Sequence, residues 1–254
     1  MDNIWCDGTL YCVDTNSASP THAYYTNLTS ENTTNSALRL AGNVNHYLFN
    51  VVLRNAGNGA GSIPGITTVG TQQLYFDYVT VSGSSSHGFH FTQTTAVFRV
   101  KCSFCVSEGN TGDGVRFDST TGVPTFWWND NIAYGNGGYG VNFTTVTSYL
   151  PDVITFINRN NAYGSNTSGA RNNLTAGTGD VTLTAAPFTA GGSGKDWDLN
   201  STAGGGAALK GVGFPGAVGA TGSTSTTGFP DIGVSQHPDA GGATTILIPP
   251  VVVY

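Results

Sequence analysis

The sequence predicts an all-β chain wound into a right-handed parallel β-helix of about 26 residues per coil, ending in an irregular Gly-rich C-terminal cap and tail. Composition gives the first reason. Only 9% of the 254 residues are charged, glycine numbers 36, and Ser, Thr and Asn, all weak helix formers, fill most remaining polar positions. An apolar content of 39% is enough to bury a core and argues against disorder.

The second reason is an internal repeat. Gly57, Gly83, Gly109 and Gly135 recur at a spacing of 26, as do Ile63, Phe89, Val115 and Val141, and Leu48, Leu74, Val100 and Phe126. Phe91, Phe117 and Phe143 form a further column, and Gly88, Gly114 and Gly140 another. Each unit reads as short strands between turns: Phe89 to Phe91, then Val97 to Val106, then a Gly/Ser/Asn turn from Ser107 to Gly114. Alternation in the first strand turns Phe89 and Phe91 inward and His90 outward, in a column with Pro64, Arg116 and Asn142. Phe76, Cys102 and Trp128 share an inward column, and Tyr75, Lys101 and Trp127 the outward one beside it. Units this short cannot bury an apolar face alone, so the coils must stack.

These periods divide the chain into a β-helix over 1–190, with irregular first coils over 1–37 and regular coils over 38–143, and a cap and tail over 191–254. Ala23 to Leu28 and Ala37 to Ala41 read as earlier strands; Thr144 to Asp152 reads as a longer loop before a strand from Val153 to Ile157.

Several function classes lose support. The net charge is −6 and the basic residues form no cluster, which disfavours nucleic-acid binding by phosphate neutralisation. The N-terminus lacks a basic start and an apolar run, so no secretory signal is expected, and no segment is long and apolar enough to span a bilayer. Cys102 and Cys105 have a redox- or zinc-like spacing, but no second half at metal spacing accompanies them. Buried thiols are the expectation for the four cysteines, with Cys6 and Cys12 the other two; neither metal nor cofactor is expected. Six Asn-x-Ser/Thr sequons, at Asn27, Asn32, Asn142, Asn166, Asn173 and Asn200, are what an Asn/Thr-rich chain gives by chance.

From Asn173 onward the composition shifts, through a stretch ending Ala186-Pro187-Phe188, then Asp196-Trp197-Asp198-Leu199, then Asp231-Ile232-Gly233-Val234. This order resembles the closing segment of right-handed β-helix proteins of the pectate-lyase-like superfamily. The Gly/Ala/Thr-rich stretch Gly204 to Thr227 and the tail from Asp239 also resemble β-helix proteins of tailed-bacteriophage genomes. The resemblance implies a virion or fibre component or a protein of unknown role, although the chain is short beside large tailspikes and has no obvious head-binding domain.

Candidate site residues are chosen by exposure and chemistry. His87 and His90 are the nearest approach to a catalytic pair, and two surface histidines on a polar face are the plainer reading. Asp113, Arg116 and Asp118 come nearest to the acids and base that lyases of this superfamily use, and the adjacent Asp pair of pectinase-type hydrolases is missing. Tyr75 and Trp127 are suited to contact with a glycan or, preferably, a protein. The tail residues Ile246, Leu247, Ile248, Val251, Val252, Val253 and Tyr254 are suited to strand addition on a neighbour or to a trimer contact. The expectation is a non-enzymatic phage virion protein, capsid-decorating or tail-associated, that forms a homo-oligomer, with a trimer favoured, and contacts other virion proteins. The alternative is an extracellular or cell-surface protein that binds or degrades a polysaccharide, with a host glycan as partner.

Overall fold

The computed structural model describes residues 2–15, 22–41, 45–57, 64–69, 73–93, 99–119, 125–144, 156–191, 196–213, 231–234 and 236. The early strands are β1 (Asp2–Asp7), β2 (Val13–Thr15), β3 (His22–Glu31), β4 (Leu38–Ala41), β5 (Asn45–Arg54) and β6 (Ile66–Val69). The middle coils hold β7 (Gln73–Ser82), β8 (Phe89–Gln93), β9 (Arg99–Ser103), β10 (Val106–Glu108), β11 (Val115–Ser119), β12 (Thr125–Asn129) and β13 (Ile132–Tyr134). The last are β14 (Tyr139–Phe143), β15 (Phe156–Arg159), β16 (Ala162–Gly164), β17 (Gly169–Asn172) and β18 (Val181–Thr182). Each pairs in parallel with its counterpart one coil away, giving, among the described residues, an 11-stranded and a 7-stranded sheet. The chain is therefore a parallel β-solenoid.

The larger sheet is bent into two flanks, and the bend has a local cause. Asn27, Asn50, Tyr78, Phe104, Asp130 and Asn160 stand at the same place in successive coils, each with φ between 51° and 58°. One left-handed residue turns a strand sharply without ending its ladder. A second such corner lies past the second flank, at Gly8, Asn32, Asn55, Gly83, Gly109, Gly135 and Ser165. Asn tolerates this region better than most residues with a Cβ and glycine best, which explains the asparagines and glycines of these columns, whereas Tyr78, Phe104 and Ser165 take the same backbone without that advantage.

Between the corners the inward side chains stack. Phe91, Phe117 and Phe143 lie with ring centroids 4.6 Å apart at each step, the spacing that parallel strands impose. Phe76, Phe89, Phe126 and Trp128 fill the same core and are fully buried. Where the backbone turns, buried asparagines replace apolar groups. Asn110 donates from Nδ2 to Asn136 Oδ1 at 2.9 Å, and Asn136 donates to Asn166 Oδ1 at 2.9 Å. A second ladder runs from Cys105 N–H to Asn131 Oδ1 (2.8 Å), from Asn131 N–H to Asn161 Oδ1 (3.0 Å) and from Asn161 N–H to Asp180 Oδ1 (3.0 Å). These amides satisfy turn backbone that water cannot reach.

The 26-residue spacing holds from Gln73 to Arg99 and on to Thr125, and from Phe89 through Val115 to Val141. Elsewhere the register departs from it. Asn45 pairs with Gln73, 28 residues on, and Phe126 with Phe156, 30 on. Leu48 therefore faces Phe76 rather than Leu74, and His90 faces Thr67, which displaces Pro64 from its expected column. Likewise Ile66 pairs with Phe89, Ile63 lying outside the described residues, and Asn55, not Gly57, occupies the corner beneath Gly83. The cause is a longer connection from Arg54 to Ile66 than from Ser82 to Phe89, with a shorter one next into β7. A single period cannot register an insertion and a deletion that nearly cancel.

The cysteines correct a second expectation. Cys6 pairs with Cys12, and Cys102 with Cys105, at Cα separations of 5.6 and 6.3 Å. Counting parity along a straight strand puts residues 102 and 105 on opposite faces. The left-handed corner at Phe104 turns both of them inward. Cys102 is buried as expected, but as half of a disulfide.

The C-terminal segment clads the outside of the second flank. Phe188, Trp197, Leu199, Leu209 and Ile232 pack on Val106, Ile132 and Ala162. Trp197 donates from Nε1 to Glu108 Oε2 at 2.8 Å, and Gly233 N–H donates to the carbonyl of Asp130 at 2.8 Å. Asp231-Ile232-Gly233, the last motif of the β-helix-like closing segment, thus covers apolar residues that would otherwise face water. Where the inner columns run out, Arg171 sits over the Tyr163 ring at 4.7 Å and pairs with Asp180 at 2.9 Å.

Candidate functional site

The sequence-predicted residues fall into two outward patches on different sheets. His87 and His90 belong to the seven-stranded sheet and the turn before it; Tyr75 and Trp127 belong to the first flank of the larger sheet. The tail residues Ile246 to Tyr254 lie outside the described residues.

On the seven-stranded sheet, alternation turns His90, Arg116 and Asn142 outward on successive rungs. His90 Nε2 lies 2.8 Å from Asp118 Oδ2. Arg116 Nε donates to both oxygens of Asp118 at 3.0 Å, and Thr144 Oγ1 donates to Oδ1 at 2.7 Å. Burial alone would raise the Asp118 carboxyl, but the bonds from Arg116, Thr144 and His90 hold it down to about 2. Asp113 is equally occupied, taking the Tyr139 N–H at 2.7 Å and Asn142 Nδ2 at 2.9 Å. His87 Nδ1 accepts the Asp113 N–H at 2.9 Å, so that nitrogen carries no proton. Burial keeps this imidazole neutral, against the pull of the Asp113 carboxylate 3.5 Å away. The patch is thus a closed network of two histidines, two carboxylates and an arginine that hold each other in place.

The second patch is a column. Tyr24, Tyr47, Tyr75, Lys101, Trp127 and Ile157 occupy successive outward rungs of the first flank. The Tyr24, Tyr47 and Tyr75 rings stack in parallel with centroids 4.7 Å apart at both steps. Each ring covers its neighbour, so Tyr47 offers only its edge and hydroxyl, whereas Tyr24 (41% exposed) and Trp127 (36%) reach solvent. Lys101 shares the column, yet it is buried between the Tyr75 and Trp127 rungs.

Beside Lys101, one outward column over, stands Asp77. Its Oδ1 is 3.8 Å from Lys101 Nζ and has no hydrogen-bond partner. Burial pushes the Asp77 carboxyl up to about 6 against the opposing influence of Lys101 and Ser103, and burial lowers the Lys101 ammonium. Sequence reasoning placed Tyr75, Lys101 and Trp127 together and missed Tyr24, Tyr47 and Asp77. The three tyrosines are separated by 23 and 28 residues, so a constant period does not align them.

Among the described residues, no group of three or more His, Cys, Asp or Glu is placed to hold a metal ion. No protein-family model, no curated protein and no solved structure matches the chain.

Proposed function

We propose that the chain is a non-enzymatic structural protein of a bacteriophage virion, decorating the capsid or associated with the tail or a fibre. The solenoid is its stiff body, and its termini serve attachment and oligomerisation, with a trimer favoured. The observation that carries this reading is the self-satisfaction of the seven-stranded sheet's ionisable groups. Asp118 is bound by Arg116, Thr144 and His90, and His87 spends Nδ1 on the main chain of Asp113. A general acid or base needs a proton it can exchange with substrate at working pH. A carboxyl held near 2 and an imidazole kept neutral by burial are tuned away from that task.

The phage assignment is supported by the resemblance of the Gly/Ala/Thr-rich stretch and tail to β-helix proteins of tailed-phage genomes. Two disulfides suit service outside a reducing cytoplasm, as on a particle surface. Mass spectrometry of purified particles tests the proposal, alongside light scattering of the isolated protein. The expected result is the chain present at fixed stoichiometry in the particle and a trimer in solution. Absence from particles overturns the reading.

A further inference from the structure

We propose that Lys101 and Asp77 are a self-modification site, at which the lysine amine and the aspartate carboxyl condense into an amide that ties β9 covalently to β7 in the coil before it. The two residues are diagonal neighbours on adjacent parallel strands, since Asp77 stands opposite Ser103 and Lys101 opposite Tyr75. Lys101 Nζ lies 3.8 Å from Asp77 Oδ1, too long for a hydrogen bond, and that oxygen is shut off from water without a partner. Lys101 is buried as well, between the Tyr75 and Trp127 rungs. A buried ion pair persists only where good geometry and further hydrogen bonds offset the lost hydration, and this pair has neither. Burial raises the Asp77 carboxyl and lowers the Lys101 ammonium, so both groups are driven toward their uncharged forms.

Those uncharged forms are the reactive ones. One proton moves from Nζ to the carboxyl, leaving a neutral amine beside a neutral acid. The nitrogen lone pair then attacks Asp77 Cγ, a C–N bond forms, and the C–O bond to the acid hydroxyl breaks. That hydroxyl leaves as water with one of the two amine protons, and the amide keeps the other. Ser103, opposite Asp77 on the next rung and acting on the same carboxyl, has a hydroxyl suited to relay that proton. Nothing is oxidised or reduced, and no co-reactant is needed. Well-placed intramolecular pairs reach effective concentrations on the order of 10⁵ M, which drives a condensation that bulk water opposes. The Asp77 side chain as a whole stays partly open, at 23% exposure, so the released water has a way out. Asp77 titrates as a carboxyl only in chains whose bond has not closed. The site needs no outside ligand, and it does not rest on the virion assignment.

Intact-mass measurement of the full chain after prolonged incubation at neutral pH, followed by reduction and tryptic digestion, tests the proposal. We expect a mass lower by one water than the disulfide-bonded sequence requires. After digestion, segments 55–99 and 100–116 should leave as one joined species, because an amidated Lys101 is no longer a cleavage site. Lys101→Met and Asp77→Ala should each restore the water. A succinimide at Asp7-Gly8, Asp113-Gly114 or Asn136-Gly137 is a separate chemistry that hydroxylamine opens, so the joined species should survive hydroxylamine. A parent chain at its full mass, segments that leave separately, or a water loss that persists in Lys101→Met overturns the bond. A joined species in a chain absent from particles would sink the virion assignment and leave the bond standing.

Discussion

Asn136 Oδ1 accepts two hydrogen bonds from the equivalent asparagine one coil earlier, from Asn110 N at 3.2 Å and from Asn110 Nδ2 at 2.9 Å. Asn136 in turn donates from Nδ2 to the Ser107 carbonyl at 3.1 Å. One amide thus ties the turns of neighbouring coils together from inside. Asn136→Ala would strand the Asn110 donors and the Ser107 carbonyl in a place closed to water. We expect a loss of about 2–4 kcal/mol. Urea unfolding checks it, through a lower midpoint at unchanged slope.

The glycine columns separate two effects that substitution would distinguish. A Cβ on Gly114 would meet the Gly140 carbonyl oxygen at 2.6 Å, so this glycine is required by the close approach of coils. Gly109 has φ +61 and open space around a Cβ, so only its backbone conformation favours glycine. Gly109→Ala should cost about 1–2 kcal/mol. Gly114→Ala should cost more, roughly 2–4 kcal/mol, because backbone must move. Thermal denaturation of the two variants ranks them.

His46 points into the core between Ala23 and Leu74, is fully buried, and has no partner for either ring nitrogen. Burial lowers its pKa from 6.5 to about 4. Between those values the unfolded chain binds a proton that the folded chain refuses, so stability falls as pH drops through that window and is regained above it. The contribution is roughly 3 kcal/mol at most. Asp77 acts in the opposite sense: its carboxyl is raised from 3.8 to about 6, so its contribution declines as pH rises through that range. His46→Leu, with Asp77 kept, should therefore lose acid sensitivity relative to the parent when unfolding free energy is measured from pH 4 to 7. Identical slopes would remove His46 from the account.

The two disulfides predict an intact mass lower by four hydrogens than that of the fully reduced chain. Cys102 and Cys105 are fully buried and Cys6 and Cys12 half-buried, so mild reductant and alkylating agent should label the second pair first. Each loop is short, and breaking either bond should cost about 2 kcal/mol. Four thiols titrating in the native, untreated protein would contradict the pairing.

Sequence legibility depends on where each coil keeps its length. The two flanks and the corner between them span the same number of residues in every coil, from Asn45 to Arg54, Gln73 to Ser82 and Arg99 to Glu108. Inward Phe89, Phe91 and Cys102 and outward His90 and Trp127 were therefore legible. Length varies in the connections, so a constant period sets Leu48, Gly57 and Pro64 in columns that are not their own. The disulfides were hidden for a different reason, since the corner at Phe104 reverses the parity of the residues beyond it. The closed network around Asp118 is half visible in the sequence: His90 and Arg116 share a column, but Thr144, which completes it, falls where the sequence predicts a loop. Asp77 gave no signal, because a lone carboxylate beside an aromatic column has meaning only once Lys101 is seen next to it.

The most direct test of the central claim, that this solenoid acts without chemistry, is to incubate the full chain with a panel of bacterial surface polysaccharides and measure new reducing ends and unsaturated uronates. The account predicts neither product, with Asp118→Asn indistinguishable from the parent. Release of either product by the parent chain, lost on Asp118→Asn, would contradict it.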